Sequence, residues 1–223
     1  MPTPEQRISI ETPAGTVSGV LALPRGAVAL VVLAHGAGGN MDGPFLSGFT
    51  RVLNADAIGT LRFNFRYSEI GRRAPDPERT LRAVWIAAFD EATRHAKRRP
   101  VFAGGKSLGG RIASMCTADD EIAPSGLVFL GYPLHPPGKP EKVRDAHLGE
   151  VGVPMLFLQG TKDPFAKPAV LAPVLERLGR RAEHVEIDGG DHSFRVRGAK
   201  RDDREIGASL AEPAAAFVRR VID

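Results

Sequence analysis

One cysteine, one tryptophan and two tyrosines stand in a chain of 223 residues, and the scarcity of thiols already excludes something. A lone thiol, Cys116, cannot close an internal disulfide, and without a CxxC pair or a Cys/His cluster no structural metal site is expected. A reducing, cytoplasmic compartment fits that usage. Long hydrophobic runs are missing as well: the longest, residues 27–34, is eight residues, against the roughly 20 that a bilayer-spanning helix requires. Membrane insertion is therefore not expected. The opening Met1-Pro2-Thr3-Pro4-Glu5-Gln6-Arg7 shows no basic stretch followed by an apolar one, so no secretion signal is expected either. Repeats and low-complexity linkers are absent. An excess of one charge is barely present, 30 basic residues meeting 26 acidic ones for a net charge of +4. The densest basic patches, Arg72-Arg73, Lys97-Arg98-Arg99 and Arg180-Arg181, are short and fall near expected helix ends or loops. They read as solvated surface rather than a nucleic-acid footprint.

What is there is ordinary globular composition, 43% hydrophobic and 25% charged. A chain of this length buries roughly 70% of its unfolded surface and closes a core without cross-links, which makes one domain over residues 1–223 the expectation. Strand-like runs alternate with segments of helical period, the pattern of an α/β sheet. Residues 6–11 and 16–23 read as a hairpin around Pro13-Ala14-Gly15. Residues 27–34 (AVALVVLA) lack polar alternation, as a strand covered on both faces should. A helix over 44–55, a strand over 58–65 and a helix over 77–98 follow, the last carrying Leu81, Val84, Trp85, Ala88, Phe89 and Ala92 on one stripe. Residues 101–103 begin a short strand, and helical spacing resumes at Leu108. Strands over 126–131, 154–159 and 184–188, a short helix near 141–148 and a terminal helix kinked or restarted at Pro213 complete the pattern.

The chemistry-bearing signal is Gly105-Lys106-Ser107-Leu108-Gly109, a GxSxG between a strand and a helix. Composition alone yields roughly 0.1 such motifs by chance in a chain of this length, so the context matters more than the letters. A serine at such a sharp turn occupies a strained backbone conformation, and neighbours two residues away must lack side chains. A phosphate-binding loop is the competing reading of Gly105-Lys106-Ser107. It needs a glycine five residues earlier, where Pro100 stands. A serine hydroxyl needs a base, and an imidazole needs an acid to fix its tautomer. Asp163 directly follows the strand over 154–159, and His192 follows the last strand in Gly189-Gly190-Asp191-His192-Ser193-Phe194. Both are placed at the sheet edge that carries Ser107. The candidate oxyanion donors are the Leu108 N–H and an N–H of the His35-Gly36-Ala37-Gly38-Gly39 loop, that of Ala37, with His35 itself anchoring the loop.

With His35-Gly36-Ala37-Gly38-Gly39, Gly105-Lys106-Ser107-Leu108-Gly109, Gly160-Thr161-Lys162-Asp163 and Gly189-Gly190-Asp191-His192-Ser193-Phe194 in this order, the chain resembles the α/β-hydrolase superfamily over nearly its whole length. Arg62-Phe63-Asn64-Phe65-Arg66-Tyr67, Gly71-Arg72-Arg73 and Gly131-Tyr132-Pro133-Leu134-His135 look like the dienelactone-hydrolase-like group related to testis-expressed protein thirty. Classical dienelactone hydrolases carry cysteine at the elbow, and Ser107 stands here, so their substrate does not transfer. The resemblance implies an eight-stranded, mostly parallel sheet with its second strand antiparallel, helices on both faces and the active site at the strand carboxyl ends. Only residues 132–153 lie where such enzymes insert a cap, too few for a large cap domain but enough for a proline-rich lid loop.

The resulting expectation is a serine hydrolase of carboxylic esters or thioesters acting on a small-molecule acyl substrate. Ser107 is its nucleophile, His192 its base and Asp163 the orienting acid, and it works without a cofactor. A non-catalytic interaction module of the same fold is the alternative. Asn64, Arg66, Tyr67 and His135 are candidates to line the cleft, Lys106 is expected to point away to the surface, and Cys116 to pack in the core.

Overall fold

The structure, a computed structural model, describes residues 3–223. The elements run β1 (Glu5–Ile10), β2 (Val17–Ala22), β3 (Ala29–Ala34), α1 (Pro44–Ala55), β4 (Ile58–Phe63), α2 (Arg66–Glu69), α3 (Glu78–Ala96), β5 (Val101–Lys106), α4 (Leu108–Ala118), β6 (Leu127–Leu130), β7 (Met155–Gly160), α5 (Pro168–Leu178), β8 (Ala182–Ile187), α6 (Asp203–Ser209) and α7 (Ala211–Ile222). They build one eight-stranded sheet in the order β1-β2-β4-β3-β5-β6-β7-β8. Only β2 opposes its neighbours, pairing antiparallel with β1 and β4 while the pairings from β4 through β8 are parallel. The chain thus has the α/β-hydrolase architecture that its motifs imply. Among the described residues no helix is long and apolar enough to cross a membrane.

The uninterrupted apolar run of β3 is explained by its position. Leu30, Val32 and Ala34 enter the cluster built with α3, α4 and α5, whereas Ala29, Val31 and Leu33 enter the cluster built with α1, α6 and α7. Successive side chains of a strand point to opposite faces, so a strand covered on both sides has no polar position to offer. The stripe of α3 packs as its spacing requires, with Trp85 fully buried and its indole N–H donating to the Gly109 carbonyl at 3.0 Å.

Differences from the sequence pattern have local causes. β4 ends at Phe63: the Asn64 N–H still meets the Ser18 carbonyl of β2 in register, but the Phe65 N–H leaves the ladder and donates to His35 Nε2. β5 runs on to Lys106, its glycines Gly104 and Gly105 being strand residues rather than the start of a turn. The helix expected near 141–148 is a 3-10 turn over Ala146–Glu150. Pro213 restarts the terminal helix, standing in the first turn of α7, where a missing N–H costs nothing. α2 and α5 have no counterpart in the sequence pattern; α2 spans four residues, and α5 carries Pro173 in its interior.

Candidate active site

Two glycines leave room for the turn that presents Ser107. Ser107 itself holds φ +48°, a left-handed conformation rare for residues with side chains. Gly105 has φ +144°, and a Cβ there would lie 2.2 Å from the Ala34 carbonyl oxygen; a Cβ on Gly109 would lie 2.5 Å from the same oxygen. The elbow is thus pressed against the end of β3, and no larger residue fits on either side of the serine. Ser107 forms the N-terminal boundary of α4, so Leu108 is the first helical residue and its N–H has no partner within the helix.

β5, β7 and β8 are parallel, so their carboxyl ends deliver Ser107, Asp163 and His192 to one edge. His192 Nε2 lies 2.8 Å from Ser107 Oγ, and His192 Nδ1 lies 2.7 Å from Asp163 Oδ2. The segments that carry Asp163 and His192 are sewn together by backbone bonds, Thr161 N–H to the Ile187 carbonyl and Lys162 N–H to the Gly190 carbonyl. The approach is close enough that a Cβ on Gly160 would meet the Gly190 carbonyl oxygen at 2.2 Å. Asp163 is buried and its carboxylate is accordingly well supplied with donors. Gln159 Nε2 donates to Oδ2 at 2.5 Å and the Phe165 N–H to Oδ1 at 2.7 Å. With Asp163 accepting at Nδ1–H, the imidazole presents a lone pair at Nε2 to the serine hydroxyl, the arrangement that removes a proton from an alcohol. The Phe165 ring covers the imidazole at a centroid distance of 4.2 Å.

The loop after β3 is fixed through one carbonyl. The Gly36 oxygen accepts from His35 Nδ1–H at 2.8 Å, from the Tyr67 hydroxyl at 3.2 Å and from the Gly39 N–H at 3.1 Å. His35 Nε2 accepts from the Phe65 N–H at 3.2 Å, which leaves the proton on Nδ1. Burial lowers the His35 pKa to about 4, keeping the ring neutral, and raises that of Tyr67 to about 12, keeping the hydroxyl a donor. In a trans peptide C=O and N–H point in opposite directions. Anchoring the Gly36 carbonyl therefore turns the Ala37 N–H away from the His35–Tyr67 pair. Among the described residues neither the Ala37 nor the Leu108 N–H has a backbone acceptor.

The remaining cleft candidates are distributed differently. Tyr67 and His135 are buried. His135 bonds the Pro136 carbonyl through Nδ1, while its N–H donates to the Phe165 carbonyl, tying the 132–153 segment to the Asp163 turn. That segment is also pinned to α4, with His147 Nε2 2.8 Å from Ser114 Oγ. Arg66 packs its guanidinium against Gly15 in the β1–β2 turn. Asn64 accepts from the Met41 N–H and donates to Glu69, holding the far end of the loop after β3. Cys116 is buried in the core as its position suggests. Lys106 corrects its expectation: it is half-buried rather than turned to the surface, and its ammonium donates to the His192 carbonyl and faces the rings of Phe45 and Phe194. Its flexible stem reaches back over the strand ends to a carbonyl 86 residues away in sequence. Gln159 carries no motif, and only its position four residues before Asp163 on β7 hints at its contact. Among the described residues no three His, Cys, Asp or Glu side chains group as a metal ion would require.

A cleft of about 230 Å³ adjoins this centre, lined by Gly36, Gly39, Asn40, Phe45, Lys106 and Ser193 among others. The family model described as an alpha/beta hydrolase domain matches residues 27–222. Among solved structures, the chain is similar to a dienelactone hydrolase from Anabaena variabilis, with 23% identity, 99% of each chain covered and a TM-score of 0.78. An esterase domain from Rhodothermus marinus is 16% identical, with 99% of this chain and 100% of that one covered and a TM-score of 0.74. An α/β serine hydrolase without lid from Xanthomonas campestris is 18% identical, with 100% and 95% covered and a TM-score of 0.71. With the family model spanning all but the first 26 residues and the last one, the chain belongs to the alpha/beta hydrolase family.

Proposed function

We propose that the protein is a serine hydrolase that cleaves carboxylic esters or thioesters of small substrates through an acyl-enzyme on Ser107. The observation that carries this reading is the unbroken relay, 2.8 Å from Ser107 Oγ to His192 Nε2 and 2.7 Å from His192 Nδ1 to Asp163 Oδ2. His192 takes the hydroxyl proton as Oγ bonds to the carbonyl carbon, and Asp163 stabilises the imidazolium that forms. The negative charge moves to the carbonyl oxygen, where the Leu108 and Ala37 N–H groups are the proposed donors; one such donor is typically worth about 2.7 to 4 kcal/mol of barrier. The tetrahedral adduct then expels the alcohol or thiol, which receives the proton from His192. Water repeats the sequence on the acyl-enzyme, losing its proton to His192 and releasing the acid.

A cleft of about 230 Å³ suits a small acyl substrate. None of these steps calls on a cofactor, and the single cysteine fits a cytoplasmic setting. A fluorophosphonate probe should label the protein covalently, and Ser107→Ala should abolish labelling and lower turnover of p-nitrophenyl esters by several orders of magnitude. Unchanged ester cleavage in that variant rejects the assignment. Running the esters in order of acyl length reads the capacity of the cleft in the same experiment.

A further inference from the structure

The GxSxG pattern leaves the residue before the serine unspecified, yet in this chain that position joins three segments of the site. The Lys106 ammonium donates to the His192 carbonyl. It also lies 5.2 Å from the ring centroid of Phe194, two residues beyond the base, and 5.7 Å from that of Phe45, the second residue of α1. Those two rings stack on each other at 5.8 Å with planes 14° apart. One cation thereby touches the base-bearing loop twice and the helix that follows the loop after β3 once, from a backbone continuous with Ser107. We propose that Lys106 is a positioning residue that clamps the His192 loop onto the nucleophile turn, holding the imidazole within reach of Ser107 Oγ before substrate arrives. This rests on the hydrolase reading for its consequence, though not for its geometry.

The surroundings favour the carbonyl as the ammonium's partner. The carboxylates nearby are already engaged. Asp163 accepts from Gln159, His192 and Phe165. Asp191 Oδ1 accepts from the N–H groups of Ser193 and Arg195, and Asp203 pairs with Arg195 at 2.6 Å. Gly131 keeps the seat open, since a Cβ on it would come within 3.3 Å of Lys106 Nζ and 3.4 Å of the His192 carbonyl oxygen. Between β8 and α6 His192 sits on a stretch without regular structure, braced by the bridge of Gly190 with Val196, the Lys162 N–H to Gly190 carbonyl bond, the turn around Asp191 and the buried Phe194 ring. Such a segment needs a fixed anchor if a short contact is to persist. Burial brings the Lys106 pKa down to about 8, with Asp163, Asp191 and Asp203 opposing that fall and Arg195 adding to it. Keeping this cation buried therefore works against stability, so its removal should cost positioning rather than the fold.

The test compares wild type, Lys106→Met, which keeps a long flexible side chain beside the rings but has no donor, and Lys106→Arg, which keeps a donor. Three readouts apply: the rate of fluorophosphonate labelling, kcat and KM on p-nitrophenyl acetate, and the downfield proton resonance of His192 Nδ1–H in its bond to Asp163. Lys106→Met should label about ten- to a hundredfold more slowly, as a misplaced catalytic group does. Its kcat should fall with KM held within about twofold, its Nδ1–H resonance should broaden or vanish, and its melting temperature should be unchanged or higher. Lys106→Arg should recover most of the labelling and the resonance. A sharp wild-type resonance in Lys106→Met overturns the clamp, as does wild-type labelling, a loss confined to KM, or no recovery in Lys106→Arg. Failure of Lys106→Met to fold overturns it too, since the contact would then serve the fold. If wild type neither labels nor cleaves esters, the hydrolase reading fails while the resonance still decides the clamp.

Discussion

Replacing Asp163 by asparagine preserves the volume of a buried side chain and exchanges one acceptor for an NH2 donor. Both orientations of the new amide are worse than the carboxylate, for different reasons. If its oxygen takes the place of Oδ2, the bonds from Gln159 Nε2 and His192 Nδ1–H survive, but the NH2 then faces the Phe165 N–H that Oδ1 accepted at 2.7 Å. If its NH2 takes the place of Oδ2, two donors collide at Gln159 Nε2, and His192 must accept at Nδ1. That forces the ring proton onto Nε2, 2.8 Å from Ser107 Oγ, where a base is needed. On the proposed mechanism the second arrangement abolishes general-base action outright, and even the first loses the negative charge that would stabilise the imidazolium. Loss of this charge and tautomer in a comparable relay drops kcat about 10⁴-fold, which corresponds to about 5.5 kcal/mol of barrier. Asp163→Asn should therefore lose about four decades of kcat on p-nitrophenyl acetate with KM little changed, while urea denaturation shows a folded protein destabilised by about 1–3 kcal/mol for the unsatisfied donors. A loss of less than tenfold in kcat, with the fold intact, would refute the argument that Asp163 sets the tautomer of His192.

Gly105→Ala should destabilise the chain by more than about 4 kcal/mol, since its Cβ would fall 2.2 Å from the Ala34 carbonyl oxygen at a φ of +144°. A urea midpoint within experimental error of wild type would show that the elbow is not pressed against β3. His35 predicts a pH dependence of stability: its pKa is about 4 when folded and 6.5 when unfolded, so the unfolded chain binds the extra proton between these values. The neutral ring's contribution is complete above about pH 6.5 and declines as pH falls, by roughly 3 kcal/mol at pH 4. His147, also lowered to about 4 but less deeply buried, adds a smaller share in the same direction. Urea midpoints that stay flat between pH 6.5 and 4.5 would contradict this, and His35→Asn should shrink the slope.

How much of this was legible beforehand depends on the range over which each signal acts. The apolar run of β3, the stripe of α3 and the glycines around Ser107 are local consequences of burial on two faces, of helical period and of a turn with no room for a Cβ. They could be read directly from the chain. The order serine, aspartate, histidine, each just past a strand, was legible because a parallel sheet sends every strand's carboxyl end to one edge. α2 was not, because a helix of four residues leaves no periodicity, and residues 160–181 offered prolines at 164, 168 and 173 in place of a clear stripe.

The amino-acid sequence by itself determined the sheet, its central strand, the sharp turn at Ser107 and the placing of Ser107, Asp163 and His192 at one sheet edge, since each follows from constraints acting within a few residues or from the direction common to parallel strands. Only the tertiary structure decided that Gln159 holds Asp163, that His35 and Tyr67 converge on the Gly36 carbonyl, and that Lys106 turns inward to the carbonyl of His192. Those contacts join side chains on different segments, and a flexible side chain takes its direction from partners that exist only once the loops at the strand ends have closed around it.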